Sequence, residues 1–435
     1  VSGPTPTTAV VDSHASWRVL AGCCLVGVFG VTSLYGSTFG LMMLPMQKEL
    51  GWSRGDITFA LTLMTLVGPA ILPLVGWVID HVRLRPLILW GVALQSASLA
   101  GFGFMQGSVW VYYVLSLVMM FTASGASVLT LTKLLQLWFD KALGRALGIL
   151  FAVGAVGSVI HPQVVGFVIR QASWREAFMT MGAMSLVFGG LAAWLLLREP
   201  APGSGRPAPA PGPATAGATE AAPQTAAPPL SMRAFLTDPI WWKLAVWNML
   251  FGLAAAGTVV HFAALMQDRG LSLAQAASAM SLIGAGGFVG NLAAGWLIDR
   301  TPATRLARLF VLAPLGATAM LYFGSGLGVA IVAAMLLGMF NAGDHSLSVF
   351  LARRYFSSEN FGRASATQQV ATSLGAGTAP WLMGVSHDRT GSYDVSMILA
   401  MGAFACAAVA AWLLPAGRQP AAPGTAMPGS APAGP

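Results

Sequence analysis

Apolar residues along this chain come in long blocks, each closed off by polar or Gly/Pro breaks. Six blocks fill the first half, near residues 17–45, 54–79, 86–106, 109–133, 143–169 and 176–197. Six more follow, near 239–266, 273–298, 304–324, 327–350, 363–386 and 393–415. A hydrocarbon core about 30 Å thick needs roughly 20 helical residues per crossing, so the pattern predicts a membrane-spanning helix at each block. The expected fold class is an all-α membrane protein with twelve transmembrane helices in two pseudo-symmetric six-helix bundles. Between the halves, Pro, Ala and Gly dominate, a composition with almost nothing to pack, which reads as a flexible or partly extended linker. The expected division is an N-terminal tail over 1–16, a bundle over 17–198, a linker over 199–237, a second bundle over 238–415 and a disordered tail over 416–435.

The halves repeat one another. Gly76-Trp77-Val78-Ile79-Asp80 returns as Gly295-Trp296-Leu297-Ile298-Asp299, an offset of 219. Gly144-Arg145-Ala146 returns as Gly362-Arg363-Ala364, and Gly157, Pro162 and Gly166 return as Gly375, Pro380 and Gly384, all at an offset of 218. An even number of crossings separates each motif from its copy, so both copies lie on one side of the membrane. The halves are therefore parallel repeats related by an axis along the membrane normal.

Composition narrows the class further. Of 435 residues, 56% are apolar and 9% charged, against about 25% charged in soluble domains. A large soluble catalytic domain has no room, and no enzyme activity is expected. The net charge of +8 sits in short clusters between apolar blocks rather than on one face, which argues against a nucleic-acid partner. Cys23 and Cys24 are adjacent in the first block and Cys406 lies in the last, so no spacing suits zinc or a disulfide framework. There is no phosphate-cradling loop, nucleophile elbow or metal-binding His-Glu pair, and neither a cofactor nor a metal is expected. The first sixteen residues lack a basic stretch followed by a cleavage site, so the first block is expected to stay in the membrane.

Charge asymmetry sets the orientation. If both termini are cytoplasmic, that side carries 17 Lys and Arg, Arg83, Arg85, Lys133, Arg145 and Arg300 among them. The other side keeps Lys48, Arg54, Arg170, Arg175, Arg269 and Arg389. This favours both ends inside, in a bacterial inner membrane.

The loop after the second block, Gly76-x-x-x-Asp80-His81-x-Arg83-x-Arg85, resembles the signature of the major facilitator superfamily of secondary transporters, and Gly295-x-x-x-Asp299-Arg300 is its shorter copy. The resemblance runs from Trp17 to Pro415. In physical terms the Gly lets two helices approach while the Asp pairs with basic residues and holds a cytoplasmic gate. Leu50-Gly51-Trp52-Ser53-Arg54, Arg354-Tyr355-Phe356 and Phe361-Gly362-Arg363 resemble the oxalate/formate antiporter and monocarboxylate transporter branches. That resemblance implies a small-molecule substrate, a mono- or dicarboxylate moved by alternating access with a proton or by exchange, in a protein that meets lipid and works as a monomer. Those branches commonly place an Arg in the eighth helix, and the oxalate exchangers a Lys in the eleventh. Here residues 276–298 hold no cation, and the eleventh block offers only Gln368 and Gln369 near its cytoplasmic end.

An ionisable group inside hydrocarbon is costly, which makes it a functional candidate. Asp344 is the acid well inside an apolar block; carboxyl groups in apolar surroundings release their charge readily, which suits proton coupling. The competing reading pairs Asp344 with Arg353 or Arg354 at the gate. His345 adjoins it, and His261 and His161 lie toward the outer parts of their helices, where an imidazole can donate to a carboxylate or titrate. Tyr35, Ser127, Asn248 and Asn341 complete the candidates for a modestly polar pathway. Pro69, Pro73, Pro162 and Pro380 are candidate kinks. Two other functions fit less well: efflux of a neutral or amphipathic compound by an antiporter, and a non-transporting membrane sensor.

Overall fold

A computed structural model describes residues 12–200, 237–298, 300–356 and 358–415. Most of the expected N-terminal tail and linker, Asp299 and the 416–435 tail lie outside the described residues. Twelve helical segments succeed one another among the described residues. In the first half they are α1 (His14–Leu50), α2 (Arg54–His81), α3 (Leu84–Phe102), α4 (Val109–Trp138), α5 (Leu143–Gln171) and α6 (Trp174–Leu196). In the second half they are α7 (Pro239–Asp268), α8 (Leu273–Ile298), α9 (Ala303–Phe323), α10 (Leu327–Tyr355), α11 (Ser358–Thr390) and α12 (Asp394–Trp412). Ten of them are long and apolar enough to cross a membrane by composition alone. Their outer faces carry large apolar side chains, Trp90, Leu195 and Leu399 among them, exposed in a way that water opposes and lipid favours. The molecule is a multi-pass integral membrane protein.

Several helices run past their apolar blocks. α4 ends at Trp138, α10 at Tyr355, and α11 covers Ser358–Thr390, because a helix satisfies its own backbone groups and needs no apolar residue to continue. Local chemistry marks the ends. Ser53 accepts from the Asp56 amide at 3.0 Å while Asp56 accepts from the Ser53 amide, a capping box that starts α2 just after Gly51 at φ 69°. Asp238 caps α7 ahead of Pro239 at its first turn.

Pro69, Pro73, Pro162 and Pro380 all lie inside continuous helices. The interruptions fall elsewhere: at Phe29-Gly30 in α1, at Gly125–Ser127 in α4, and in a wider π turn over Ser185–Gly190 in α6. Neighbouring helices hold these sites. Gln95 of α3 donates to Ser185 Oγ at 2.8 Å and reaches the Phe29 carbonyl freed by the α1 interruption.

The two halves meet where α2 lies along α11 and α5 along α8. Small residues make this contact close: a Cβ on Gly384 would sit 2.8 Å from the Arg54 carbonyl, and one on Gly284 2.7 Å from that of Ser158. Gln163 of α5 also donates to Ser278 and Ser281 of α8, both at 3.2 Å.

Candidate functional site

Because each crossing reverses direction, α1 starts and α12 finishes at one end of the bundle, called here the terminal end. The α1–α2, α7–α8 and α11–α12 turns share the opposite end. Chemistry concentrates in two places: a cavity toward the terminal end and a polar network at the opposite end.

The cavity, about 710 Å³, lies among α7, α10 and α11. Asn248, Asn341, Asp344, Ser365, Gln368 and Thr372 supply its polar wall, and Phe251, Val259 and Phe361 part of its apolar one. Asn248 is locked: its amide donates to the Leu244 carbonyl at 2.8 Å, and its oxygen accepts from Ser348 at 2.7 Å and Thr372 at 3.4 Å. Three other groups are not. Asp344 Oδ1, Ser365 Oγ and Gln368 Nε2 are buried with no hydrogen-bond partner. Each such group costs about 1–3 kcal/mol relative to a satisfied one, which makes this wall the candidate site for something that supplies donors and acceptors. Asp344 is the one ionisable residue on this wall among the described residues. Arg353, one of the two basic residues expected to pair with Asp344, lies over the Phe361 ring at 5.6 Å.

At the opposite end, Arg54 is 5% exposed and grips Asp268 of α7 through both terminal nitrogens, at 2.6 and 2.9 Å. Its Nε donates to Gln47 at 3.1 Å and its Nη1 to the Tyr393 hydroxyl at 2.7 Å. Asp388 of α11 accepts from the Arg54 and Gly55 amides at 3.0 and 2.8 Å, and His387 lies 3.5 Å from Asp268. His261 sits behind, with Nε2 2.8 Å from the Pro380 carbonyl and Nδ1 2.8 Å from the Tyr393 hydroxyl. A carbonyl only accepts, so Nε2 carries the proton of the neutral ring and Nδ1 accepts from Tyr393. The chain of donors therefore runs from Arg54 to Tyr393 to His261 to the Pro380 carbonyl. Burial holds the Tyr393 phenol above its ordinary range, so it stays a donor.

The structure brings Asn248, Asn341 and Asp344 together and disperses the other expected pathway residues. Tyr35 bonds the Tyr112 hydroxyl at 3.2 Å inside the first bundle, packed by Phe39 and Phe102. Ser127 precedes the second segment of α4, its hydroxyl 3.4 Å from that of Thr130. His161 is buried with Nδ1 3.4 Å from Ser33 Oγ, and its Nε2 has no partner. His261 belongs to the opposite-end network, not to the cavity. His345 lies on α10 and its side chain falls outside the described atoms. Ser and Thr on these helices mostly donate to carbonyls one turn back, as Thr38 does to Leu34 and Thr258 to Ala254, so hydroxyl content alone could not locate a pathway.

The charges of the gate motif divide between two sets of partners. Asp80 pairs with Lys133, which also donates to the Ile79 carbonyl at 2.9 Å. Arg83 goes to Glu199 instead, at 3.2 Å, while the Arg85 amide donates to Glu199 at 2.7 Å. Asp80 sits on the last turn of α2 facing α4, whereas Arg83 and Arg85 start α3 beside the end of α6. A Cβ on Gly76 would meet nothing within 4 Å, so no helix approaches closely there. Arg300 stacks over Trp296 at 4.4 Å. Sequence reasoning missed Arg54, Asp268, Asp388 and Tyr393 as a group, since their partners lie more than 200 positions away.

Comparison with known proteins adds three findings. Residues 23–339 match the family model described as Major Facilitator Superfamily. The probable sulfoacetate transporter SauU of Cupriavidus necator is 28% identical over 386 residues, covering 81% of this chain and 84% of that protein, and monocarboxylate transporter 12-B of Danio rerio is 24% identical over 66% and 63%. The crystal structure of the nucleoside transporter NupG superposes with a TM-score of 0.67 at 13% identity, covering 92% of this chain and 98% of that one.

Proposed function

The chain belongs to the Major Facilitator Superfamily, and from that premise we propose that it is a secondary active transporter carrying a small organic anion, a mono- or dicarboxylate, by alternating access. The observation that carries this reading is the contrast between the two ends. One holds the halves together through the Arg54 network, and toward the other a cavity keeps three buried polar atoms without partners. Such a molecule has a closed side and a receptive side, which alternating access requires. The excess of Lys and Arg at the terminal end makes that end cytoplasmic, so the cavity faces inward in this state of a plasma-membrane carrier that works as a monomer.

Proton coupling follows from the cavity wall. An anion placed beside an ionised Asp344, with no cation on the wall, meets repulsion in a poorly solvated space. The acid is accommodated when the carboxyl carries a proton, which ties substrate to proton. The related proteins named for sulfoacetate and monocarboxylates support an organic acid as cargo.

The test is uptake of a carboxylate panel into proteoliposomes with and without an imposed pH gradient, comparing the native protein with Asp344→Asn. Accumulation driven by the gradient in the native protein and lost in the variant is the expected result. Native protein that moves no carboxylate under either condition rules the reading out, and efflux of a neutral or amphipathic compound, which the cation-free wall with Phe251 and Phe361 also suits, takes its place. Ligand binding without any flux would mark a sensor.

A further inference from the structure

We propose that the groove between α3 and α6 at the terminal end is a binding site for an anionic phospholipid. The Arg85 guanidinium receives its phosphate, and the apolar wall beyond Arg85 seats an acyl chain. The site is separate from the transport cavity, and it does not depend on what that cavity carries.

The wall follows from the shape of α6. Its helix widens into the π turn over Ser185–Gly190, and a Cβ added to Gly190 would meet no atom nearer than 3.6 Å. Opposite it α3 offers the small Ala93. The two helices thus leave a cavity of about 430 Å³, with Leu89 and Ala93 on one side and Leu186, Val187 and Leu191 on the other. Those last three side chains are 51%, 47% and 50% exposed, so the space opens toward the hydrocarbon. An apolar slot at this depth has no polar partner to hold water, and a lipid tail is the material at hand to fill it.

The polar end lies one turn away. Residues four apart stack along one helix face, so Arg85 stands below Leu89 and Trp194 below Gly190, both toward the terminal end. Arg85 Nη2 donates to the Trp194 carbonyl at 2.9 Å, in the last turn of α6, where carbonyls lack helical partners. Arg85 Nε is buried and has no hydrogen-bond partner. A cationic donor left this way is costly, and an acceptor with several anionic oxygens is what satisfies it best.

The charge around it has the matching sign. Arg83 and Arg85 share one carboxylate: Glu199 accepts from Arg83 Nε at 3.2 Å and from the Arg85 amide at 2.7 Å. The Arg83 side chain is 80% exposed, and Arg198 adjoins Glu199 along the chain. Lys133 and Asp80 pair with each other and leave the balance unchanged. Surplus positive charge beside an apolar slot between membrane helices favours an anionic headgroup over a zwitterionic one.

A guanidinium that only ties α3 to α6 predicts no preference among lipids, and that difference is measurable. The purified full chain in detergent is titrated with lipid and followed by native mass spectrometry. The probes are dioleoyl phosphatidylglycerol, dioleoyl phosphatidylcholine, dihexanoyl phosphatidylglycerol and inorganic phosphate. The first dioleoyl phosphatidylglycerol should bind about tenfold more tightly than dioleoyl phosphatidylcholine. Arg85→Gln should weaken that first binding about tenfold and Arg83→Gln about threefold, whereas Arg145→Gln, an equal loss of charge at the start of α5, should change it less than about twofold. Gly190→Leu fills the slot and should weaken the dioleoyl lipid about fivefold while leaving the dihexanoyl lipid unchanged.

Equal affinity for the two dioleoyl lipids overturns the proposal, as does an equal effect of Arg85→Gln and Arg145→Gln. Inorganic phosphate or the dihexanoyl lipid binding as tightly as dioleoyl phosphatidylglycerol would mark a site for free phosphate and also overturns it. So does native affinity for the dioleoyl lipid in Gly190→Leu. Thermal unfolding checks that each variant is folded. If Arg85→Gln is not, Arg85→Lys carries the test with an expected loss of about threefold, because a point charge lacks the planar set of donors. An unchanged affinity in that variant overturns the proposal.

Discussion

Arg54 and Asp344 are the buried members of the Lys, Arg, Asp and Glu set among the described residues, and the fold treats them in opposite ways. Arg54 has every donor nitrogen engaged, mostly by groups from the other half of the chain. Asp344, 6% exposed, keeps an oxygen with no partner, beside Ser365 and Gln368 in the same condition. Burying a charge without compensation is among the costliest things a fold can do. The satisfied residue sits where the halves touch, and the unsatisfied one sits on a cavity wall. On the transport reading proposed above, the difference makes the two sites complementary halves of one cycle. In that reading the satisfied site holds one end closed, and cargo makes up the deficiency at the other.

The largest effect that can break this comparison is on accessibility. In a background without Cys23, Cys24 and Cys406, a cysteine at Ser348 on the cavity wall should react with a membrane-impermeant maleimide from the terminal end. Adding Arg54→Gln should slow that labelling about tenfold, because loss of the buried ion pair releases the closed end. Unchanged labelling would mean that the network does not hold this state.

The next effect falls on Asp344 itself. Asparagine mimics the protonated carboxyl in shape but cannot exchange the proton. Asp344→Asn should therefore keep substrate-for-substrate exchange within about threefold while gradient-driven accumulation drops by an order of magnitude or more. Exchange and accumulation lost in equal measure would assign Asp344 to binding or folding rather than to the proton.

These two residues also show what was legible in the sequence. Asp344 stood out because an acid in an apolar block has no local explanation, and Asn248 and Asn341 were found in the same way. The twelve helices and the repeat were legible because apolar block length and an offset of 218 or 219 are properties of the chain alone. Arg54 was read as a topogenic charge and a mark of ancestry. Its meaning depends on Asp268, Asp388 and Tyr393, which only the packing of α2 on α11 and α7 brings near. One signal was present. The six basic residues of the opposite end are matched there by Glu49, Asp56, Glu176, Asp268, Asp388 and Asp394, and a balance of signs outside hydrocarbon suggests pairing, which a count of Lys and Arg ignores. The breaks at Phe29-Gly30 and Gly125–Ser127 were not legible, because no proline marks them and the candidate prolines, Pro162 and Pro380 among them, lie inside continuous helices.

A smaller effect sharpens the comparison through packing rather than charge. Gly384 faces the first turn of α2, where an added Cβ would lie 2.8 Å from both the Arg54 carbonyl and the Gly55 amide nitrogen. Backbone atoms cannot step aside as a side chain can, so Gly384→Ala should push α11 off α2 and loosen Asp388, one turn further along, from the amides it caps. The expected result is a two- to threefold slower maleimide reaction at the Ser348 cysteine, in the same direction as Arg54→Gln but weaker, with a loss of about 1–3 kcal/mol in stability. Labelling that responds to Arg54→Gln and not to Gly384→Ala would assign the closure to the guanidinium alone.

The smallest effect concerns Tyr393, the hinge between the ion pair and His261. Tyr393→Phe removes one hydroxyl that accepts from Arg54 and donates to His261, and leaves the ring stacking and the Asp268 fork in place. One hydrogen bond to a charged group is worth about 1.5–3 kcal/mol, and the retained fork offsets part of it, so a fall of a few degrees in Tm is expected. The pH dependence has a definite sign. Burial raises the folded-state value of this phenol above its unfolded value of 10.0, so the native state keeps a proton that the unfolded chain gives up. The contribution of Tyr393 to stability is whole below pH 10 and is lost as pH rises above it. The native protein should therefore lose stability above pH 10 faster than Tyr393→Phe, and the two Tm curves should converge there. Curves that stay parallel through pH 10 would show that the hydroxyl is solvated rather than held, and would remove Tyr393 from the chain that joins Arg54 to His261.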